Sequence, residues 1–103
     1  MPVPSAVYVI SVAATLVGSH PQTLRTYERL GLVNPARTSG GVRLYSEQDI
    51  AVLHRVASMS AAGISLLGIV RIFELESEVR ALRAELQRVS APRTSRRRMG
   101  TTS

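Results

Sequence analysis

Cysteine is absent from the sequence, as is lysine, and histidine occurs only as His20 and His54. Without cysteine there is no disulfide framework, no thiolate metal site and no cysteine redox sensor. Two histidines so far apart in sequence do not by themselves make a zinc site, so no metal or cofactor is expected. Long apolar runs are missing too. The stretch from Val7 to Val17 is too short to span a bilayer and lacks a basic segment ahead of it, so a cytoplasmic protein is expected. No nucleophile stands with a base, no glycine loop could cradle a phosphate, and no carboxylate pair has an enzyme-like setting. An enzyme is therefore not expected. At 103 residues the chain has room for one small domain plus a tail or a dimerisation segment.

What is present is arginine. All 13 basic residues are Arg, set against 7 acids for a net charge of +6. They are unevenly placed: six Arg face three acids up to Phe73, three face four from Glu74 to Ser90, and four stand alone from Ala91 onward. Attraction for a polyanion is thus concentrated toward the two ends of the chain.

The informative stretch is Gly18 to Tyr45. Pro21 at a first helical position loses no hydrogen bond, His20 before it can act as a weak cap, and Gly31 ends the helix. Leu24, Tyr27 or Glu28, and Leu30 space one buried face, which turns Gln22, Thr23, Arg25, Thr26 and Arg29 largely outward. Arginine can grip guanine through two bonds, glutamine can pair with adenine, and threonine can meet a thymine methyl or a phosphate. Tyr27, at the edge of that face, is counted among the candidate contacts. Without a further signal the same face would read as ordinary solvated surface.

After Asn34-Pro35, the run Arg37 to Tyr45 alternates around Ser39-Gly40-Gly41, whose glycines supply positive φ for a hairpin tip. Such a ribbon suits the sugar-phosphate backbone, a role assigned to Arg37 and Arg43; the plainer alternative is a surface hairpin with two solvated arginines. Tyr45 is expected to pack under the ribbon with its hydroxyl free to reach a phosphate. Upstream, Tyr8-Val9-Ile10 predicts a short strand or extended lead-in. Ser11 is expected to cap a first helix to about Val17, whose Val12, Ala13, Leu16 and Val17 would support the second. A bracing helix, a helix for the major groove and a ribbon make a winged helix-turn-helix.

On these residues the chain resembles the MerR superfamily, whose pattern is close to S-P-x-T-L-R-Y-Y-E-x-x-G-L-x-x-P-x-R followed by G-Y-R-x-Y. The segments H-P-Q-T-L-R-T-Y-E-R-L-G-L-V and L-x-G-I-x-R-I-x-E-L-E look most like the HspR branch of heat-shock repressors. The likeness covers roughly residues 8 to 89, with the motifs in order. Thr26 stands where many members have the first Tyr of the pair, and Val42 where they have an aromatic residue. The resemblance implies a repressor of heat-shock or chaperone genes, nucleoid-associated, with the chaperone DnaK as co-repressor and RNA polymerase at the promoter.

Beyond the ribbon, Ser46-Glu47-Gln48-Asp49 starts a helix whose apolar positions Ile50, Val52, Leu53, Val56, Ala57 and Met59 bury core, with His54 at its edge. Gly63 ends it and Ser65 can cap the next, whose first turns (Leu66, Leu67, Ile69, Val70, Ile72, Phe73) are too apolar to be freely solvated and are expected to pack back on the preceding helix. Ile72, Leu75, Val79, Leu82, Leu86 and Val89 then recur at steps of 3 and 4, a heptad seam that calls for a second copy of the helix. Either coil orientation can match Glu with Arg, and the family resemblance implies the antiparallel one. Ala91-Pro92 is expected to stop the helix ahead of a disordered Arg-rich tail that could add non-specific DNA binding.

The expected protein is mainly α. Residues 1–7 form a flexible N-terminus, 8–73 a winged helix-turn-helix DNA-binding domain with a small β wing, 74–90 a C-terminal coiled-coil dimerisation helix whose seam begins at Ile72, and 91–103 the tail. The expected function is a dimeric, sequence-specific transcriptional regulator on an inverted-repeat operator. After Val89 no room is expected for a ligand-sensing domain. The alternative is a short interaction protein that modulates longer relatives by forming mixed dimers.

Overall fold

A computed structural model describes residues 6–102, with side chains described as far as residue 90. The elements are β1 (Val7–Tyr8), α1 (Ile10–Val17), α2 (Pro21–Arg29), β2 (Ala36–Arg37), β3 (Arg43–Ser46), α3 (Glu47–Ala61) and α4 (Leu66–Thr102). They divide into two compact units, the first ending at Val70 and the second beginning at Arg71. The mainly helical winged helix-turn-helix is as expected.

In the first unit a three-stranded antiparallel sheet has the order β1-β3-β2. Val7 pairs with Ser46 and Tyr8 with Tyr45, while Ala36 pairs with Leu44 and Arg37 with Arg43. The lead-in strand therefore lies one residue earlier than expected, and Val7 belongs to the sheet rather than to a flexible N-terminus. This pairing also explains why Ser11 does not cap α1. The backbone stays extended through Val9, which is the N-cap and contributes no side-chain bond, and the helix opens directly behind the strand. Ser11 lies inside α1, where its carbonyl accepts from Thr15 Oγ1 at 3.0 Å.

Helix α1 ends on Gly18 at φ 70°, a left-handed cap that lets Ser19 N–H reach the Ala14 carbonyl at 2.9 Å. Its buried face is Ala13, Ala14 and Val17, whereas Val12 and Leu16, expected to support α2, are nearly half exposed. The physical reason is close approach. Helix α1 packs against α2, α3 and β3 together, and two alanines leave room for three neighbours where larger side chains would not. Leu24, Tyr27, Leu32, Val33, Tyr45, Leu53, Val56 and Ile69 complete the core.

Helix α3 begins on a reciprocal cap: Ser46 Oγ accepts from Asp49 N–H at 3.0 Å, and an Asp49 carboxylate oxygen accepts from Ser46 N–H at 2.9 Å. Gly63, at φ 92°, follows its end, and Ser65 Oγ accepts from Gly68 N–H at 3.1 Å at the start of α4. At the start of α4 Ile69 is fully buried, so the segment is not freely solvated, whereas Leu67 beside it is 76% exposed.

The second unit is the continuation of α4. The helix is unbroken across the expected boundary at residue 73, and its bounds pass the expected stop at Ala91-Pro92. The expectation of a disordered tail falls on residues 91–103, outside those whose side chains are described. Leu75, Val79, Leu82, Leu86 and Val89 are all exposed on the single chain, and with Ile72 they follow the heptad steps. Arg71 reaches Glu74 at 3.3 Å and Glu78 at 3.8 Å along the same helix.

Candidate nucleic-acid interface

Helix α2 carries the outward side chains, and both of its ends are fixed locally. His20 Nδ1 accepts from Gln22 N–H at 3.1 Å, with Pro21 in the first turn, so the weak cap is present. Gly31, at φ 81°, lets the chain leave the helix, and Leu32 N–H closes on the Tyr27 carbonyl at 3.0 Å. Leu24 is fully buried, which turns the opposite face outward. Gln22 and Arg29 are exposed, and Thr23, Arg25 and Thr26 are half-buried.

These outward groups are organised along the helix. Arg25 Nη1 donates to Gln22 Oε1 at 3.4 Å, and Arg29 Nη2 donates to Thr26 Oγ1 at 3.2 Å. Thr26 in turn donates to the Gln22 carbonyl at 3.1 Å, so its hydroxyl steers Arg29. Two candidate contacts change role. Tyr27 is buried at 7% exposure, and Tyr45 is fully buried with its hydroxyl oxygen unpartnered and out of reach of solvent. Tyr45 packs as expected, but its hydroxyl has no surface on which to meet a phosphate. Burial and the negative charge of Glu28 raise its pKa above the ordinary 10.0.

The wing is a tight ribbon. Thr38 N–H donates to the Val42 carbonyl at 2.9 Å, Val42 N–H returns to Thr38 Oγ1 at 3.0 Å, and Gly41 turns the tip at φ 86°. Arg37 and Arg43 pair across the strands, and both converge on a residue that the sequence placed only ambiguously. Glu28 Oε1 accepts from Arg43 Nε at 2.6 Å, and Glu28 Oε2 accepts from Arg37 Nη2 at 2.9 Å. The two arginines are thus a tie between wing and helix, not two independent solvated charges. Only the helical spacing, which puts Glu28 at the margin of the buried face, hinted at this.

The Glu28 carboxyl is held below its ordinary 4.5, chiefly by the Arg43 hydrogen bond, against a smaller opposing effect of burial. The same bond raises the pKa of its counterpart Arg43 above the ordinary guanidinium value. A carboxylate with a depressed folded-state pKa stabilises the fold fully above its unfolded value and loses that contribution as pH falls through the folded one. The thermal midpoint is therefore expected to drop between about pH 5 and about pH 2 by less in Glu28→Gln than in the parent chain. Parallel melting curves for the two over that range would show that the tie carries no pH-linked stability.

Among the described residues no group of His, Asp or Glu could hold a metal ion, and no helix is long and apolar enough to cross a membrane. A short helix braced by α1, turned outward by Leu24 and tied to a glycine-tipped ribbon defines a winged helix-turn-helix of the kind found in transcriptional regulators. More narrowly, the chain belongs to the MerR HTH family of regulatory proteins, whose profile matches residues 8–76.

It is 56% identical over 86 residues to a Streptomyces coelicolor protein that carries the name heat shock protein HspR, covering 82% of this chain and 57% of that protein. It is 39% identical over 75 residues to an HTH-type transcriptional regulator of Synechocystis, covering 72% and 55%. The chain thus spans little more than half the length of these curated relatives. Among solved structures it resembles a MerR family transcriptional regulator from Bacillus cereus, with TM-score 0.63, 29% identity and coverage of 94% of this chain and 75% of that one. It also resembles HiNmlR, a MerR family regulator lacking the sensor domain and bound to promoter DNA, with TM-score 0.60, 27% identity and coverage of 81% and 77%.

Proposed function

We propose that this chain binds duplex DNA sequence-specifically as a homodimer on an inverted repeat and represses heat-shock or chaperone genes. The observation that carries DNA binding is the outward face of α2, where Gln22, Arg25 and Arg29 stand beside a wing bearing Arg37 and Arg43. Their donors suit base edges and phosphates, and HiNmlR, the regulator with a similar fold, is bound to promoter DNA. Dimer formation is supported by the exposed heptad stripe on α4. Two symmetry-related copies of α2 then call for a repeated half-site in inverted orientation.

The heat-shock role rests on the likeness to HspR. With it come a cytoplasmic, nucleoid-associated location, DnaK as co-repressor and RNA polymerase at the promoter. In this reading Gln22, Thr23 and Arg25 meet base edges, while Thr26 orients Arg29, and Arg29, Arg37 and Arg43 meet phosphates. Tyr27 and Tyr45 serve the core.

The test is a titration of enriched inverted-repeat duplex against scrambled duplex at several salt concentrations. With about four phosphate contacts per half, the dimer neutralises on the order of eight, and affinity falls steeply with salt. Arg43→Ala is expected to weaken binding to every sequence and to flatten the salt slope by up to about two for the dimer. Gln22→Ala or Arg25→Ala instead relaxes preference at one base pair per half-site, by about 1–3 kcal/mol each. Equal losses from all three changes would remove this division of labour. A chain that shifts DNA only when mixed with a longer relative would point to the mixed-dimer modulator.

A further inference from the structure

We propose that Glu28 sets the discrimination between operator and arbitrary DNA, as a positioning residue that holds both wing arginines in one geometry. The inference rests on the DNA-binding reading above and deepens it. Glu28 follows Arg25 on α2 by three residues and lines, with Gln22, Arg25, Arg29 and Arg43, a concavity of about 320 Å³. A carboxylate therefore stands among the side chains offered to a polyanion, where by itself it opposes binding.

Its two oxygens are spent on different arginines, Arg43 at 2.6 Å and Arg37 at 2.9 Å. Arg37 is further tied through Nη1 to the Gly41 carbonyl at 3.1 Å. Arg43 engages Glu28 through Nε, which leaves its terminal amino groups for a phosphate. The Glu28 side chain is only 19% exposed, so the contact is sheltered from competing water.

Arbitrary DNA is held by mobile charges that follow the backbone in many orientations. Arginines restrained and partly neutralised by a carboxylate contribute less to that mode than free ones would. At an operator seated by the base contacts of α2, one phosphate geometry recurs in every complex, and a pre-oriented guanidinium meets it with little further loss of side-chain freedom. Glu28 thus lowers the general affinity more than the specific one.

The experiment uses the full chain as parent, as Glu28→Gln, which keeps the shape and removes the charge, and as Glu28→Asp, which keeps the charge and withdraws the carboxylate by one methylene. Each is titrated across salt concentrations against the inverted-repeat duplex that the parent enriches from a random pool, and against a scrambled duplex. Glu28→Gln is expected to bind scrambled duplex about tenfold more tightly at low salt, with a slope steeper by about one to four, because up to four arginines per dimer are released at roughly 0.9 each. Affinity for the enriched duplex changes by less than about threefold, so the specificity ratio falls. Glu28→Asp moves the same way by a smaller amount.

An unchanged ratio in Glu28→Gln, with both affinities falling together at constant slope, makes Glu28 a packing residue and overturns the proposal. So does a Glu28→Asp chain indistinguishable from the parent beside an altered Glu28→Gln, which assigns the effect to net charge alone. A parent chain that prefers no duplex removes the DNA-binding reading itself, a separate outcome.

Discussion

Leu82→Glu is expected to convert the chain from dimer to monomer and to abolish binding to inverted-repeat DNA at concentrations where the parent saturates it. Leu82 is 63% exposed on the single chain, in a row with Leu75, Val79, Leu86 and Val89. Beside it lies a groove of about 360 Å³ lined by Ile72, Leu75, Glu76, Val79, Arg80 and Arg83. A pair of helices closing on this row buries two copies of Leu82. Burying a leucine contributes about 1.5–3 kcal/mol, so the dimer loses about 3–6 kcal/mol before the cost of two apposed carboxylates. At tenfold per 1.4 kcal/mol, association weakens at least about a hundredfold. Sedimentation equilibrium measures this directly. The same variant should melt like the parent monomer, because the exposed side chain supports nothing in its own chain. A dimer of unaltered strength would show that the stripe is not the interface.

Leu24→Ala carries the second large effect, and it acts through the fold. Leu24 is fully buried at the middle of α2, and it turns the outward groups to face away from the core. Truncating a buried leucine costs about 2–5 kcal/mol, a large share of the roughly 5–15 kcal/mol that a small domain possesses. The midpoint of thermal unfolding should fall by at least about 8 °C, and DNA binding should fall with it although no candidate contact is altered. A midpoint within about 3 °C of the parent would mean that α2 is not anchored by this side chain.

The local signals in the sequence carried well. Pro21 with His20, the Ser46–Asp49 exchange, the glycines at 31, 41 and 63, and the 3-and-4 steps on α4 each act within a few residues, so each is legible in the string. What was hidden depends on distance along the chain. The Val7–Ser46 pairing closes over 39 residues, and because the chain stays extended into Val9, it displaced the expected Ser11 cap. The Glu28 tie reaches 9 and 15 residues ahead, so the string shows two arginines of the ribbon without the carboxylate they share. Tyr45 shows a third limit: alternation in β3 indicates which way the ring faces, but only the folded chain shows that the hydroxyl is sealed as well.

The brevity of α2 has a consequence for how such a molecule finds its place on a chromosome. Nine helical residues, at about 1.5 Å each, extend alongside roughly four steps of duplex at about 3.4 Å per step. A four-letter word recurs by accident roughly every 250 letters, whereas two such words at a fixed distance recur about once in 65,000, which is why the count of competing sites decides occupancy. On the proposed dimeric reading, a lone subunit would be diluted among thousands of decoys, and only the coupled pair would read a phrase long enough to be rare.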